Sequence, residues 1–180
     1  IEERFLAVER LLEKHLEFQG RFTFVQLAAP SRTLIERYRE LNESIELVAA
    51  RINERFGQGS YKPIILLKVH HEPPDVFRYY RAADVCYVSS LHDGMNLVAK
   101  EGPIVNQRDA VLILSEGAGA WEQLREGALS VAPADIEGTV AALETALHMP
   151  AAERARRAGL LREEVQHHDR ARFALHFYSL

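Results

Sequence analysis

Apolar residues recur at helical spacing from the start of the chain, at Phe5, Val8, Leu11, Leu12 and Leu16, and Gly20 closes that segment. The next stretch, FTFVQL (22–27), is a run of aromatic and β-branched residues and predicts a strand. Pro30 to Thr33 then opens a long helix, in which Thr33 and Glu36 have capping-box spacing. Its apolar stripe is Leu34, Ile35, Tyr38, Leu41, Ile45, Val48, Ile52 and Phe56, and Gly57 and Gly59 end it. IILLKV (64–69) is a short continuous apolar run, followed by Pro73-Pro74 and a helix over DVFRYYRAA. DVCYVSSL, AVLILS (110–115) and ALSVAP continue the strand series, alternating with DGMNLVAKE, GAGAWEQL and DIEGTVAALETALHMP. Five short runs without polar alternation, each separated by a helix, predict a parallel sheet buried on both faces. This is a Rossmann-like, doubly wound α/β fold. After Pro150 no strand pattern remains. Glu153 to Arg162 reads as a solvated helix face, and Phe173, Phe177 and Tyr178 call for a surface to pack on. The division expected from sequence is one domain over 1–150 and a helical extension over 151–180.

Composition narrows the function classes. Hydrophobic residues at 47% against 27% charged describe a globular chain and exclude a disordered tail. Twenty-two Lys and Arg against 26 Asp and Glu give a net charge of -4, so no basic nucleic-acid surface is implied and any bound phosphate must be held by local groups. No apolar run approaches the roughly 18 residues of a membrane span, and the first helix is amphipathic rather than a signal peptide, which points to a cytoplasmic protein. The single cysteine, Cys86, cannot form an intramolecular disulfide and in ADVCYV reads as a buried strand thiol. His70-His71 and His167-His168 are adjacent pairs whose members point apart, so no metal site is expected. Ser115-Glu116 is not a nucleophile elbow, and Trp121 and Phe77 read as core.

The densest chemistry is SSLHDGMNLVAKE (89–101), placed between a strand and a helix, where an open α/β sheet binds its ligands. Gly94 permits close backbone approach, and the free amides of Gly94, Met95 and Asn96 at the helix start can receive anionic oxygens. Local geometry admits two readings, a diphosphate cradle or an Asp93 N-cap with a glycine turn and no ligand. Asp93 and Glu101 are eight residues apart, roughly 12 Å along a helix, too far to act on one bond but suited to gripping two ends of an elongated ligand. On the residues alone Glu101 reads first as a solvated helix residue. Gly117 and Gly119 permit either close approach to a ligand or tight packing.

Those residues also carry a resemblance. SSLHDGMNLVAKE, with VQLAAPSR (25–32), RINERFG (51–57), YYRAADVCYVSSL (79–91), VLILSEGAGA (111–120) and the P-x-D-I-E-x-T-V-A-A-L ending (133–143), resembles the trehalose-6-phosphate synthase family of retaining glycosyltransferases across essentially the whole chain. The resemblance implies the C-terminal, donor-binding half of a two-domain GT-B enzyme. Such an enzyme moves glucose from a nucleoside diphosphate sugar to glucose 6-phosphate, with no metal or other cofactor. By position, Asp93 would bind hydroxyls of the donor sugar, and the backbone at Gly94, Met95, Asn96, Leu97 and Val98 its diphosphate and sugar. Glu101 would hold the donor ribose, and His70 and Val76 would lie near the base. Arg32 matches the arginine that reaches the acceptor's phosphate. A guanidinium beside a helix N-terminus opposes the helix dipole, so a facing anion explains it better than capping, while apart from the resemblance Arg32 reads as a surface arginine. The implied partners are the two substrates, an N-terminal domain of the same chain toward which the last helix packs, and a second copy in a homo-oligomer, with neither nucleic acid nor membrane.

Two departures shape these expectations. Gly102-Pro103 should break or kink the helix after Glu101, which would place Glu101 at a helix end. GPIVNQRDA resembles relatives that couple cyclitol-type donors, and synthases of glucosylglycerol phosphate share SSLHDGMNLVAKE, so other donors or acceptors stay open, as does a non-catalytic regulatory domain. The family's Arg-x-Asp-x-x-Lys-Gly block, whose cations would neutralise the leaving diphosphate, is expected upstream of Ile1, so the 180 residues alone are expected to be inactive. With the strand order 3-2-1-4-5-6, a first strand outside this sequence would leave two exposed edges.

Overall fold

The structure, a computed structural model, describes residues 1–28 and 36–178, with the backbone alone over 36–39 and 168–178. The chain forms two compact units, Ile1–Pro73 and Pro74–Leu180.

The first unit runs α1 (Glu2–Lys14), a 3-10 turn (Leu16–Phe18), β1 (Phe24–Leu27), α2 (Glu36–Phe56) and β2 (Ile64–Leu67). β1 and β2 are parallel, with Phe24 opposite Ile64 and Leu27 opposite Leu67. Strand alternation sends Phe24, Ile64 and Leu66 into a core with Phe5, Val8 and Leu12 of α1 and Ile45, Ile52 and Phe56 of α2. Val25 and Ile65, side by side on the other face, stay 38% and 39% exposed. Of the predicted stripe of α2, Ile45, Ile52 and Phe56 are buried, Val48 is half-buried and Leu41 faces solvent, while Ala49 joins the core. Leu34, Ile35, the Tyr38 side chain and the capping pair, Thr33 and the Glu36 side chain, lie outside the described residues.

The RINERFG block explains itself here. Arg51 forks onto Glu9 with two bonds of 2.7 Å, and Arg55 bridges Glu9 and Glu13, joining α2 to α1. The Asn53 side chain donates to the Ile64 carbonyl and accepts the Ile64 N–H, both at 2.9 Å, which fixes α2 against β2. The Gly57 N–H donates to the Asn53 carbonyl, and a β-carbon on Gly57 would collide with that oxygen, so glycine stops the helix.

The second unit runs α3 (Pro73–Ala82), β3 (Val85–Val88), α4 (Leu97–Val105), β4 (Val111–Ser115), α5 (Trp121–Leu124), β5 (Leu129–Val131), α6 (Ile136–His148) and α7 (Ala151–Tyr178). β3, β4 and β5 are parallel with β4 central, and every β4 residue is buried. On one face Val88, Leu112 and Leu114 pack with Ala99 of α4, Leu124 of α5 and Leu161 and Val165 of α7. On the other lies α6, where the Tyr87 and Thr139 hydroxyls meet at 3.2 Å. Helices on both faces make this a doubly wound arrangement.

Among the described residues the strands are parallel within each sheet, β1-β2 in the first unit and β3-β4-β5 in the second. Three expectations change. Burial on both faces, expected of every strand, is complete only in β4 among the described strands. The stretch 153–162 is not simply a solvated face. Arg154 donates to the carbonyls of Asp109 and Arg108, Arg157 to that of Ala128, and Arg162 to the Asp109 carboxylate at 2.6 Å, while Ala158 and Leu161 are buried. Long basic side chains seal the helix onto loop carbonyls while its small and apolar residues fill the core. Finally, α4 continues through Pro103 to Val105, so Glu101 sits in the helix and not at its end. The penalty before proline comes partly from the preceding β-carbon, which Gly102 lacks, and Gly102 packs on the Cys86 sulfur, where a β-carbon would lie 3.3 Å away.

Candidate functional site

The segment after β3 is held from beneath by the loop after β4. The fully buried Ser115 hydroxyl donates to the Ser90 carbonyl at 2.8 Å and accepts the Gly117 N–H at 3.0 Å. The Asp93 N–H reaches the Gly117 carbonyl at 3.3 Å, and the Asp93 carbonyl accepts the Gly119 N–H at 2.7 Å. A β-carbon on Gly117 would meet the Leu91 and Ser90 carbonyls, and one on Gly119 the backbone of Gly94 and Asp93. The two glycines therefore serve tight packing that positions the Asp93 loop. Gly94 has open space around its missing β-carbon, so a ligand can approach there.

The side chains above this floor form a small network. Asn96 caps α4, accepting the Ala99 N–H at 3.0 Å, with its own backbone in the left-handed region at φ 57°. Its amide NH₂ donates to Asp93 at 2.8 Å and to the Ser90 hydroxyl at 2.9 Å. The expected alternative of Asp93 as N-cap is thus replaced by Asn96, because the first helical turn begins only at Leu97. The Met95 N–H leans on the other Asp93 carboxylate oxygen at 3.4 Å. Among the described residues the N–H groups of Gly94, Leu97 and Val98 have no hydrogen-bond partner, and all three residues are exposed. Unpaired donors at the positive end of a helix dipole suit anionic oxygens.

Leu97, Glu101 and Ile104 share one side of α4, with Leu97 58% exposed and Ile104 43%. Glu101 is half-buried and has no hydrogen-bond or ionic partner among the described residues. Beneath α4, Cys86, Tyr80, Gly102, Pro103, Asn106 and Leu112 enclose a small apolar space. Cys86, expected as a buried thiol, is partly buried, and its desolvation pushes the thiol up to about 11. Burial, helped by Cys86 and Glu101, raises the Tyr80 phenol to about 12. Both are neutral at physiological pH. The buried Asn106, which sequence reasoning passed over, holds this wall together. Its NH₂ donates to the Tyr80 and Ala83 carbonyls, and its oxygen accepts the Arg108 and Ala110 N–H groups at 2.9 Å.

The structure thus brings together Asp93, Gly94, Met95, Asn96, Leu97 and Val98, with Ser90 added, and places Glu101 further along the same helix. His70 lies exposed in the first unit, 3.5 Å from Glu72, and Val76 is half-buried on α3 of the second. Arg32 lies outside the described residues. Among the described residues no group of three His, Cys, Asp or Glu side chains is placed to hold a metal ion, and no helix is long and apolar enough to cross a membrane.

Comparison with known proteins places this geometry. The family model for glycosyltransferase family 20 matches residues 1–180. A trehalose-6-phosphate synthase of Klebsiella pneumoniae is 42% identical over 95% of this chain, which spans 37% of that protein. An α,α-trehalose-phosphate synthase (UDP-forming) from Burkholderia xenovorans, solved in complex with glucose-6-phosphate, superposes with a TM-score of 0.88 at 39% identity, covering 92% of this chain and 37% of that one. An E. coli structure bound with UDP-2-fluoro glucose gives 0.92 at 37% identity, covering 99% and 40%.

Proposed function

The chain belongs to glycosyltransferase family 20, and we propose that it is the nucleotide-sugar-binding portion of a trehalose-6-phosphate synthase, acting in the cytoplasm as part of a longer protein. In this reading the bond between the glucose anomeric carbon and the donor diphosphate breaks, and one forms to a hydroxyl oxygen of glucose 6-phosphate. The observation that carries it is the Asp93 loop, where a braced carboxylate stands beside unpaired N–H donors at the start of α4. The relatives supply the substrate classes, since one is bound with UDP-2-fluoro glucose and another with glucose-6-phosphate.

Asp93 accepts hydrogen bonds from donor-sugar hydroxyls. The N–H groups of Gly94, Leu97 and Val98, with the backbone of Met95 and Asn96, receive diphosphate and sugar oxygens. Glu101 accepts the ribose hydroxyls, His70 and Val76 border the base, and Arg32 meets the acceptor phosphate. Developing charge on the leaving diphosphate is met by the helix-start dipole and by cations elsewhere in the longer protein, with no metal in the reaction.

The test is turnover by the full-length protein with UDP-, ADP- or GDP-glucose and glucose 6-phosphate. Formation of trehalose 6-phosphate is expected. Preference for glycerol 3-phosphate or a cyclitol donor would reassign the substrates, and donor binding without transfer to any acceptor would make the chain a regulatory module.

A further inference from the structure

We propose that the Asn96 side chain is a positioning residue for transfer, holding the Asp93 carboxylate in its working rotamer and tying it to the start of α4; this rests on the donor-site reading above. The orientation of the Asn96 amide is fixed by its neighbours. The Ala99 N–H can only donate, so the amide oxygen faces it at 3.0 Å, and the NH₂ group must face the other way. There it meets the Asp93 carboxylate at 2.8 Å and the Ser90 hydroxyl at 2.9 Å. Ser90 is held in turn through its carbonyl by the buried Ser115 hydroxyl.

One carboxylate oxygen of Asp93 is thereby engaged by Asn96, with Ser90 at 3.5 Å, while among the described residues the other has only the long contact from the Met95 N–H. The carboxylate thus presents one oxygen to a ligand. Its direction is set by a side chain that also caps the helix whose first amides are unpaired. A sugar hydroxyl on Asp93 and a phosphate on α4 are consequently registered against each other through a single residue. The left-handed backbone at Asn96 suits the assignment, because Asn, Asp and Gly tolerate φ 57° while most residues do not. A capping role alone would be met by aspartate at this position, which lacks the NH₂ donor.

That difference supplies the test, made in the full-length protein. Asn96→Asp keeps the cap and the backbone conformation, loses the donor and sets like charges together. Asn96→Gly keeps the conformation and loses both interactions. Both variants are expected to lower kcat at least tenfold, with UDP affinity by calorimetry within threefold of the parent. Ser90→Ala, which removes one partner and leaves the cap, is expected to lower kcat by a smaller factor without changing UDP affinity. An Asn96→Asp variant with kcat within twofold of the parent would overturn the inference and leave Asn96 a helix cap. A crystal structure of Asn96→Gly reads the same claim without substrate. Asp93 is expected to leave its Ser90-facing rotamer, and an unchanged rotamer would refute positioning. A parent protein that transfers nothing would instead refute the donor-site reading, with the rotamer still deciding the role of Asn96.

Discussion

The Gly119 N–H donates to the Asp93 carbonyl at 2.7 Å, so the residue proposed to meet the sugar hangs by its backbone from a glycine in another loop. A β-carbon at Gly119 would occupy space already taken by the Gly94 carbonyl. Gly119→Ala must push the Asp93 loop away, since the opposing atoms are backbone. Overpacking of this kind costs about 1–3 kcal/mol. A lower melting temperature is expected, with loss of transfer larger than the stability change explains. Parent-like turnover would show that the loop moves freely.

Glu101 carries a different prediction. It stands within α4 without a hydrogen-bond or ion-pair partner among the described residues, so its acceptor oxygens are available to a ligand. If they accept ribose hydroxyls, Glu101→Ala should weaken UDP binding by about 1.5–3 kcal/mol, the range for hydrogen bonds to a charged group. Calorimetry on the full-length protein reads this directly. Unchanged affinity would return Glu101 to the solvated helix face.

How much of this was legible in the sequence varies with the range of the interactions. Helix positions followed from periodicity, because burial of one face sets the period whatever the neighbours are, and strand positions from short continuous apolar runs. The Asp93 to Glu101 segment stood out because acidic, glycine and amide residues cluster at one strand end. The cap at Asn96 did not, since Asp93 is an equally good capping residue and only the chain's actual entry angle decides between them. Pro103 reads as a breaker by its residue type, and the glycine at 102, with no β-carbon to meet the proline ring, is what lets the helix run through it. The inward reach of Arg154, Arg157 and Arg162 was hidden for another reason, as their carbonyl and carboxylate partners lie 29 or more residues away.

Cys86 supplies a prediction about pH. Its thiol rises from an ordinary value of 9.0 to about 11 through burial, so the folded form keeps its proton where the unfolded chain loses it. The stability this supports is complete below about pH 9 and is lost as pH rises through 11, by roughly 3 kcal/mol in all. Tyr80, raised to about 12, pulls in the same direction at higher pH. Urea denaturation at pH 8 and pH 10.5 should show a lower midpoint at the higher pH. The Cys86 peptide should be alkylated slowly at pH 8 and rapidly once urea unfolds the protein, as followed by mass spectrometry. Rapid native alkylation would contradict the burial.

The central claim, that this chain holds a nucleoside diphosphate sugar with Asp93 on the sugar and α4 on the phosphates, is tested most directly by Asp93→Ala in the full-length protein. UDP affinity and turnover would be measured on the same preparation. The account predicts transfer to glucose 6-phosphate lowered by at least two orders of magnitude, with UDP binding within a few fold of the parent. Retained turnover, or UDP affinity lost along with it in a variant that still melts like the parent, would contradict it.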